Sequence, residues 1–416
     1  MNLWNETKTV PISRSMVWEA YKKVRSNHGS AGIDQVSMEE FDADRSKQLY
    51  KLWNRLASGS YYPPPVKEVE IPKGDGKVRK LGIPTISDRV AQMVIKEYLE
   101  PRFEQLFSPH SYGYRPGKNA HQALESVREN CRMMNWVIDL DIKGFFDNIN
   151  HDKLMLAVVK HVPEKWCLMY IKRWLQMPIL TKSGELVQKQ GKGTPQGGVI
   201  SPLLANLFLH YAMDKWLEQT HPTVRYERYA DDAILHCKSN QQAKYVLRNL
   251  NKRMLSCGLE LHPEKTKIVY CKDYRRQEDH PIVKFDFLGY SFQPRSTMSK
   301  RTGTLFLGFD CAISIKSKKR IADKMRELDI KHLSHKSIVG VAQYLEPFIR
   351  GWCNYYGKFR ISALNPIFQL LRKHLVKWVR KRYKRYKTSL NKAYDWLKRV
   401  KEQFPYLFYQ WKLGFS

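Results

Sequence analysis

The sequence predicts an α+β fold in which strand hairpins occupy the middle of the chain and helices occupy both ends. Three observations carry that prediction. Apolar residues recur at helical spacing before about residue 60 and again beyond Pro294. Alternating segments bounded by Gly, Pro and Asp lie between them. The last 116 residues, Arg301 to Ser416, hold 26 Lys and Arg against 7 Asp and Glu, a composition unlike the rest.

Element by element, Trp18, Tyr21, Val24 and Arg25 mark a helix that breaks at HGSAGID, His28 to Asp34, and make residues 1–60 a helical N-terminal extension. Tyr61 to Pro84 alternates and turns at Gly74-Asp75-Gly76, which predicts a β-hairpin with a basic second arm. Helices are expected over Ser87–Phe107 and Ala120–Met133, separated by the polar loop SYGYRPGKN. In WVIDLDIKGFFD, Trp136 to Asp147, alternation places Val137, Asp139 and Asp141 on one strand face. A helix over His151–Leu175 follows, then the Gly-rich loop GKGTPQGG, which opens an apolar helix at Ser201. RYERYADDAILHCK reads as strand, acidic turn, strand, because apolar and aromatic β-formers flank Asp231 and Asp232. Strands at Lys267–Cys271 and Phe285–Phe292 close this region. The remainder reads as helical and basic, with a domain boundary near residue 300.

Hydrophobic residues at 43% and charged residues at 27% exclude a disordered, collagen-like or membrane-embedded chain. The charge balance is the anomaly. A net +32 with an isoelectric point near 9.8 calls for an extended polyanionic partner, nucleic acid first, since +19 of it sits beyond residue 300. Seven cysteines, none at C-x-x-C spacing, fit a reducing cytosol. No targeting segment is evident, and the uncharged run Gly193–Met213 carries too many polar and proline positions to span a bilayer. A cytoplasmic protein with no membrane partner is therefore expected.

Adjacent carboxylates at a hairpin tip resist joint ionisation unless a cation neutralises them. With a third carboxylate from a neighbouring strand, such a site can hold two Mg²⁺ ions ~3.5–4 Å apart, the arrangement suited to phosphoryl transfer. The order of motifs makes this reading specific: DIKGFFD at Asp141–Asp147, TPQGG at Thr194–Gly198 and YADD at Tyr229–Asp232.

With RKLGIPT, SYGYRPGKNA, DIKGFFDNINH, GTPQGG, SPLLANLFL, YADD, LHPEKTK, FLGYSF and RGWCNYYGKF, the chain resembles the reverse transcriptases, and among them the group II intron-encoded maturase type. The resemblance covers nearly the whole chain. It implies a right-hand polymerase: fingers and palm with an antiparallel sheet over residues 61–300, and a helical thumb or maturase domain over 301–416. It further implies RNA-directed DNA synthesis from dNTPs with two Mg²⁺ ions on an RNA template, a DNA or RNA primer as substrate, and binding of group II intron RNA in splicing. The alternatives are an RNA-binding splicing cofactor, or a free-standing relative co-opted for repair, phage defence or spacer acquisition. No His/Cys-rich segment of the HNH nuclease kind is present, so DNA cleavage is not expected.

Carried over by motif, Asp141, Asp231 and Asp232 become the catalytic and metal-binding carboxylates. Asp139 shares the face of Asp141, but the family pattern sets the ligand five residues before an aromatic, which selects Asp141 and Phe146. Phe146 then stands where the family keeps a steric gate against the ribose 2′-hydroxyl, with Phe145 as competitor. Lys73 and Arg79 are implied to close over the triphosphate, Gln196 and Gly197 to contact nucleotide and template, and Lys265 to stand beside the pyrophosphate. Leu288 and Gly289 correspond to the primer grip. Arg350, Trp352, Tyr355 and Tyr356 interleave cations with aromatics as RNA contacts require. Lys377, Arg380, Lys381 and Arg382 extend the basic surface on a segment, His374–Lys387, expected to be a helix charged on nearly every face.

Overall fold

A computed structural model describes residues 9–72, 78–188, 190–298 and 302–415. The chain forms two compact units, residues 1–119 with 138–267, and residues 120–137 with 268–416.

In the first unit, helices Arg14–Ser26 and Arg45–Ala57 flank the short Met38–Ala43, whose N-terminus carries a capping box between Ser37 and Glu40. The expected hairpin is present as β1 (Val66–Pro72) and β2 (Val78–Ile83), paired antiparallel with Arg79 opposite Ile71. Its turn, including Lys73, lies outside the described residues. Helix Ile86–Glu104 buries Asp88 completely, where the carboxylate accepts from Tyr61 (2.9 Å), Trp174 (2.8 Å) and Gln92 (2.9 Å). Even with three donors, burial pushes that carboxyl up to about 6.

Strand β3 spans Trp136–Leu140 and ends sooner than its alternation suggests. Gly144, at φ 55°, turns the chain into the one-turn helix Phe145–Asn148, so both phenylalanines are buried and strand alternation does not choose between them. The long helix expected over His151–Leu175 is two, His151–Val159 and Lys165–Leu175, parted around Pro163. Short strands β4 (Ile179–Leu180) and β5 (Leu186–Val187) complete a sheet of order β2-β1-β4-β5. The apolar helix Ser201–Leu209 runs through a π-helical turn, His210–Asp214, into Lys215–Thr220. Then β6 (Arg225–Tyr229) and β7 (Asp232–Cys237) pair antiparallel, with β7 beside β3. After helix Asn240–Ser256 the chain enters β8 (Lys267–Tyr270).

In the second unit, Phe285–Phe292 is a hairpin rather than one strand. Strands β9 (Phe285–Phe287) and β10 (Tyr290–Met298) pair with Phe287 opposite Tyr290, across a two-residue turn in which Leu288 and Gly289 both have positive φ. Strand β11 (Leu305–Ile313), unexpected from the basic composition around it, makes the sheet β11-β10-β9. The boundary expected near residue 300 falls on residues 299–301, outside the described residues, between the paired strands β10 and β11. Helices Ile315–Glu327, Ile338–Arg360, Asn365–Arg382 and Leu390–Gln403 enclose a core that includes Leu345, Ile349, Leu371, Leu375, Trp378, Leu397 and Trp411.

Among the described residues all seven cysteines are free and buried, and no helix is long and apolar enough to cross a membrane.

Candidate functional site

The β6–β7 hairpin closes with Tyr229 opposite Asp232, which leaves Ala230 and Asp231 as its turn. Ala230 sits at φ 58°, a left-handed conformation that costs an L-residue with a Cβ roughly 1–2 kcal/mol. The neighbourhood holds it there. Arg228, fully buried, donates to the Ala230 carbonyl (2.9 Å), to Asn206 Oδ1 (2.9 Å), and with two nitrogens to Asp214 (2.9 and 2.6 Å). Both side chains of the Arg228–Asp214 pair are 0% exposed. The SYGYRPG loop straps the strand from outside: Tyr112 N–H donates to the Arg228 carbonyl (2.8 Å), and Arg228 N–H to the His110 carbonyl (2.9 Å). Gly113 lies so close to the turn that a Cβ would come within 2.4 Å of the Ala230 nitrogen.

Asp141 follows the end of β3. Its carbonyl accepts from His262 N–H (2.8 Å), and its carboxylate pairs with the Lys265 ammonium at 3.1 Å. Asp231 and Asp232 both lie in the field of Asp141. Burial, then the nearby charge of Asp141, raises the Asp231 carboxyl, with Arg79 acting in the opposite direction. Asp232 presents its side chain to solvent, yet the protein crowding it desolvates the group. That desolvation, then the charges of Asp231 and Asp141, pushes it up to about 7 against the opposing fields of Lys265 and Arg79. Three mutually repelling oxygen donors suit a hard divalent cation. As they stand, no three His, Cys, Asp or Glu side chains among the described residues are close enough together to hold one, and Asp141 is instead neutralised by Lys265.

Around this centre Arg79 Nε donates to Gln196 Oε1 (2.9 Å), and Gln196 Nε2 to the Asp147 carboxylate (3.4 Å), which links β2, the TPQGG loop and the turn after β3. The Gln196 carbonyl accepts from Gly82 N–H (2.8 Å), and the Phe146 carbonyl from Thr194 N–H (2.8 Å). Gly197 has φ 122°, and a Cβ there would lie 2.6 Å from the Gly82 carbonyl oxygen. Gly197→Ala should therefore displace the loop from β2, read as faster hydrogen exchange at the Gly82 amide that donates to Gln196, with a thermal melt as the folding control.

In the second unit, Leu288 and Gly289 form the β9–β10 turn. Tyr355 donates to the Leu288 carbonyl (2.9 Å), Ser317 to the Gly289 carbonyl (2.9 Å), and a Cβ on Gly289 would lie 3.3 Å from the Tyr356 ring. Tyr355 and Tyr356 thus brace this turn, and Trp352 packs against the helical core. Arg350 is exposed, pairs with Glu346 (2.5 Å) and lies over the Tyr409 ring at 4.9 Å. The charged segment differs from expectation. Helix Asn365–Arg382 ends before Lys387 and buries Leu375, Val376, Trp378 and Val379, so its charge lies on one side, with Lys377, Lys381 and Arg382 exposed. Arg380 turns back to the Lys387 carbonyl (2.8 Å).

Residues that sequence reasoning left unassigned are Arg228, Asp214, Asn206 and Gly113 behind the acidic turn, and Tyr114, whose hydroxyl is raised by burial and then by Asp231. SYGYRPG and SPLLANLFL contain three of the five, but local spacing gives no sign that they converge on YADD.

Two family models match the chain: reverse transcriptase (RNA-dependent DNA polymerase) over residues 71–309, and the group II intron maturase-specific domain over residues 318–396. Among curated relatives, Protein YkfC of Escherichia coli is 31% identical, covering 61% of this chain and 77% of that protein. The group II intron-encoded protein LtrA of Lactococcus lactis is 26% identical over 88% of this chain and 72% of its own. A 91 kDa protein in the cob intron of Schizosaccharomyces pombe is 28% identical over 85% of this chain and 50% of its own.

Proposed function

This chain belongs to the reverse transcriptase family, its model covering more than half the sequence, and we propose that it extends a primer 3′ end with dNTPs at a site built from Asp141, Asp231 and Asp232. It is an RNA-directed DNA polymerase of the group II intron type with a maturase domain, a right-hand polymerase by family, and it binds RNA template and intron RNA and uses a divalent metal. The junction between its domains is proposed to lie between the two family matches, beyond 309, with the helical thumb following.

The single observation that carries the site is the β6–β7 turn, which brings Asp231 and Asp232 within the field of Asp141, so that both carboxyls are raised by burial and by its charge. Two Mg²⁺ ions held there would lower the pKa of the primer hydroxyl and neutralise charge on the α-phosphate. The protein side chains do the rest. Arg79, with Lys73, grips the triphosphate. Gln196, oriented by Arg79 and Asp147, positions the incoming nucleotide, and Gly197 lets the backbone come close. Lys265 donates a proton to the departing pyrophosphate. Leu288 and Gly289 hold the primer from a turn fixed by Tyr355 and Ser317. Arg350, Trp352, Tyr355, Tyr356, Lys377, Arg380, Lys381 and Arg382 belong to the RNA-binding domain, the exposed cations among them contacting phosphates.

Phe146, buried and tied to the TPQGG loop through its carbonyl, is proposed as the sugar gate. Phe146→Val should raise kcat/KM for ribonucleotides relative to deoxyribonucleotides by about 10–100-fold, read from parallel single-nucleotide incorporation assays. An unchanged ratio would assign Phe146 to core packing alone.

The overall test is primer extension on an RNA template with Mg²⁺ and dNTPs, beside Asp231→Ala/Asp232→Ala. Full-length cDNA from the unsubstituted protein alone supports the assignment. If neither extends while both bind RNA tightly at moderate salt, the chain acts as a splicing cofactor only.

A further inference from the structure

Asp88, in the first unit, is a buried charge that the proposed chemistry does not use. It is 0% exposed, and among the described residues no cation forms an ion pair with it. The adjacent Arg89 turns instead to the carbonyls of Pro84 (3.0 Å) and Ser30. With its carboxyl at about 6, Asp88 is ionised at neutral pH. An unpaired buried carboxylate opposes folding, and a neutral amide of the same shape would avoid that cost. The hydrogen bonds show what the amide would lose.

Asp88 Oδ1 accepts from Trp174 Nε1 (2.8 Å) and from the Tyr61 hydroxyl (2.9 Å), and Oδ2 accepts from Gln92 Nε2 (2.9 Å). Gln92 lies one turn further along helix Ile86–Glu104 and is 1% exposed. With its nitrogen held by Asp88, its Oε1 accepts from the N–H of Ile200 (3.2 Å), the residue before helix Ser201–Leu209, whose N-terminus has no side-chain cap. A Cβ on Gly198 would lie 3.2 Å from that same oxygen. Gln92 thus fixes one end of the TPQGG loop, as the Phe146 carbonyl, accepting from Thr194 N–H (2.8 Å), fixes the other.

We propose that Asp88 is a positioning residue for the TPQGG loop: as a carboxylate it compels Gln92 to offer its oxygen to Ile200, and so pins the segment that carries Gln196 and Gly197. The polarity follows from donor chemistry. An ionised carboxylate only accepts, so it meets the Gln92 nitrogen; an indole N–H only donates, so position 88 must keep an oxygen toward Trp174. Asp88→Asn therefore keeps that oxygen and turns an amide nitrogen toward Gln92. The Gln92 amide must then flip, which sets two donors face to face at Ile200 and releases the loop. The proposal rests, for its effect on synthesis, on the reading of Gln196 and Gly197 as nucleotide contacts.

The test compares Asp88→Asn with Asp88→Asn/Gln92→Glu in the full chain. The double exchange conserves net charge and restores both hydrogen bonds with reversed polarity: the new amide nitrogen donates to the carboxylate at position 92, whose second oxygen accepts from Ile200. Asp88→Asn trades a buried charge for one lost hydrogen bond, so its melting temperature should fall no more than about 3 °C. Hydrogen exchange at the Ile200 amide, read by mass spectrometry, should quicken at least about tenfold in the single variant and return to within about threefold in the double. The KM for dNTP should rise about fivefold in the single variant with kcat within about threefold, and recover in the double. Unchanged exchange in Asp88→Asn, or faster exchange that the double exchange does not correct, overturns the pin and leaves Asp88 to the core alone. Exchange that behaves as expected while KM stays constant supports the pin and counts against Gln196 and Gly197 as nucleotide contacts. Because exchange is measured without substrate, it decides on the pin even in a preparation that does not extend a primer.

Discussion

Replacing Asp231 and Asp232 together by Asn should abolish primer extension, a loss of at least about 10³-fold, and should at the same time make the metal-free protein more resistant to heat. The two effects share one cause. Ionised Asp232 is disfavoured in the folded chain by desolvation and by its acidic neighbours, which places its carboxyl at about 7 against 3.8 for an unperturbed group. Between those values the folded chain keeps a proton that the unfolded chain releases, so folding is penalised progressively as pH rises through about 7, and carries no such penalty below about 4. Asparagine removes the penalty. The difference in melting temperature between variant and unsubstituted protein, measured in EDTA, should therefore be near zero at pH 4 and reach its maximum above pH 7. Added Mg²⁺ at pH 8 should raise the melting temperature of the unsubstituted protein and leave the variant where it was. A difference that ignores pH, or a variant that still makes cDNA, would remove the carboxylate assignment.

The β6–β7 hairpin is legible in the sequence because hairpin chemistry is local: β-formers flank an acidic pair, and a turn forms there, one residue earlier than the pair suggests, at Ala230–Asp231 with Asp232 opening β7. The same locality misled elsewhere. FDFLGYSF reads as one strand because leucine is not a turn residue, yet Leu288 takes φ 48° and Gly289 φ 80°, and the turn is fixed by Tyr355 and Ser317 from distant helices. Likewise β11 was hidden by surrounding basic composition, although LFLGFDCAI pairs along its whole length with β10. His374–Lys387 looked charged all round because Leu375, Val376, Trp378 and Val379 are spaced among seven Lys and Arg, and only the packed core shows that they form one buried face. What sequence withholds most completely is the long-range polar contact. Nothing near Arg228 announces that Asp214, Asn206 and the Gly113 strap meet it.

That contact carries the second large effect. Arg228→Met should destabilise the protein by about 3–5 kcal/mol in urea unfolding, because Asp214 is left charged and fully buried without its partner. Stability alone does not explain why the site uses an arginine, since a well-packed apolar pair can match a buried ion pair. The geometry supplies the reason. One terminal nitrogen of Arg228 donates to the carbonyl of Ala230, the residue whose left-handed backbone presents Asp231 at the tip, and to Asn206, whose amide in turn holds the Gly113 carbonyl (2.8 Å) of the strap. No hydrocarbon can replace those two donations. Arg228→Met/Asp214→Leu should accordingly recover most of the lost unfolding free energy while primer extension stays at least about 10²-fold down, since the acidic turn loses the group that fixes its conformation. Recovery of both stability and synthesis in the double variant would mean that the buried pair serves only the fold. Recovery of stability alone makes Arg228 a positioning residue for the carboxylates, three positions from one and four from the other in sequence but acting on them through the Ala230 carbonyl between.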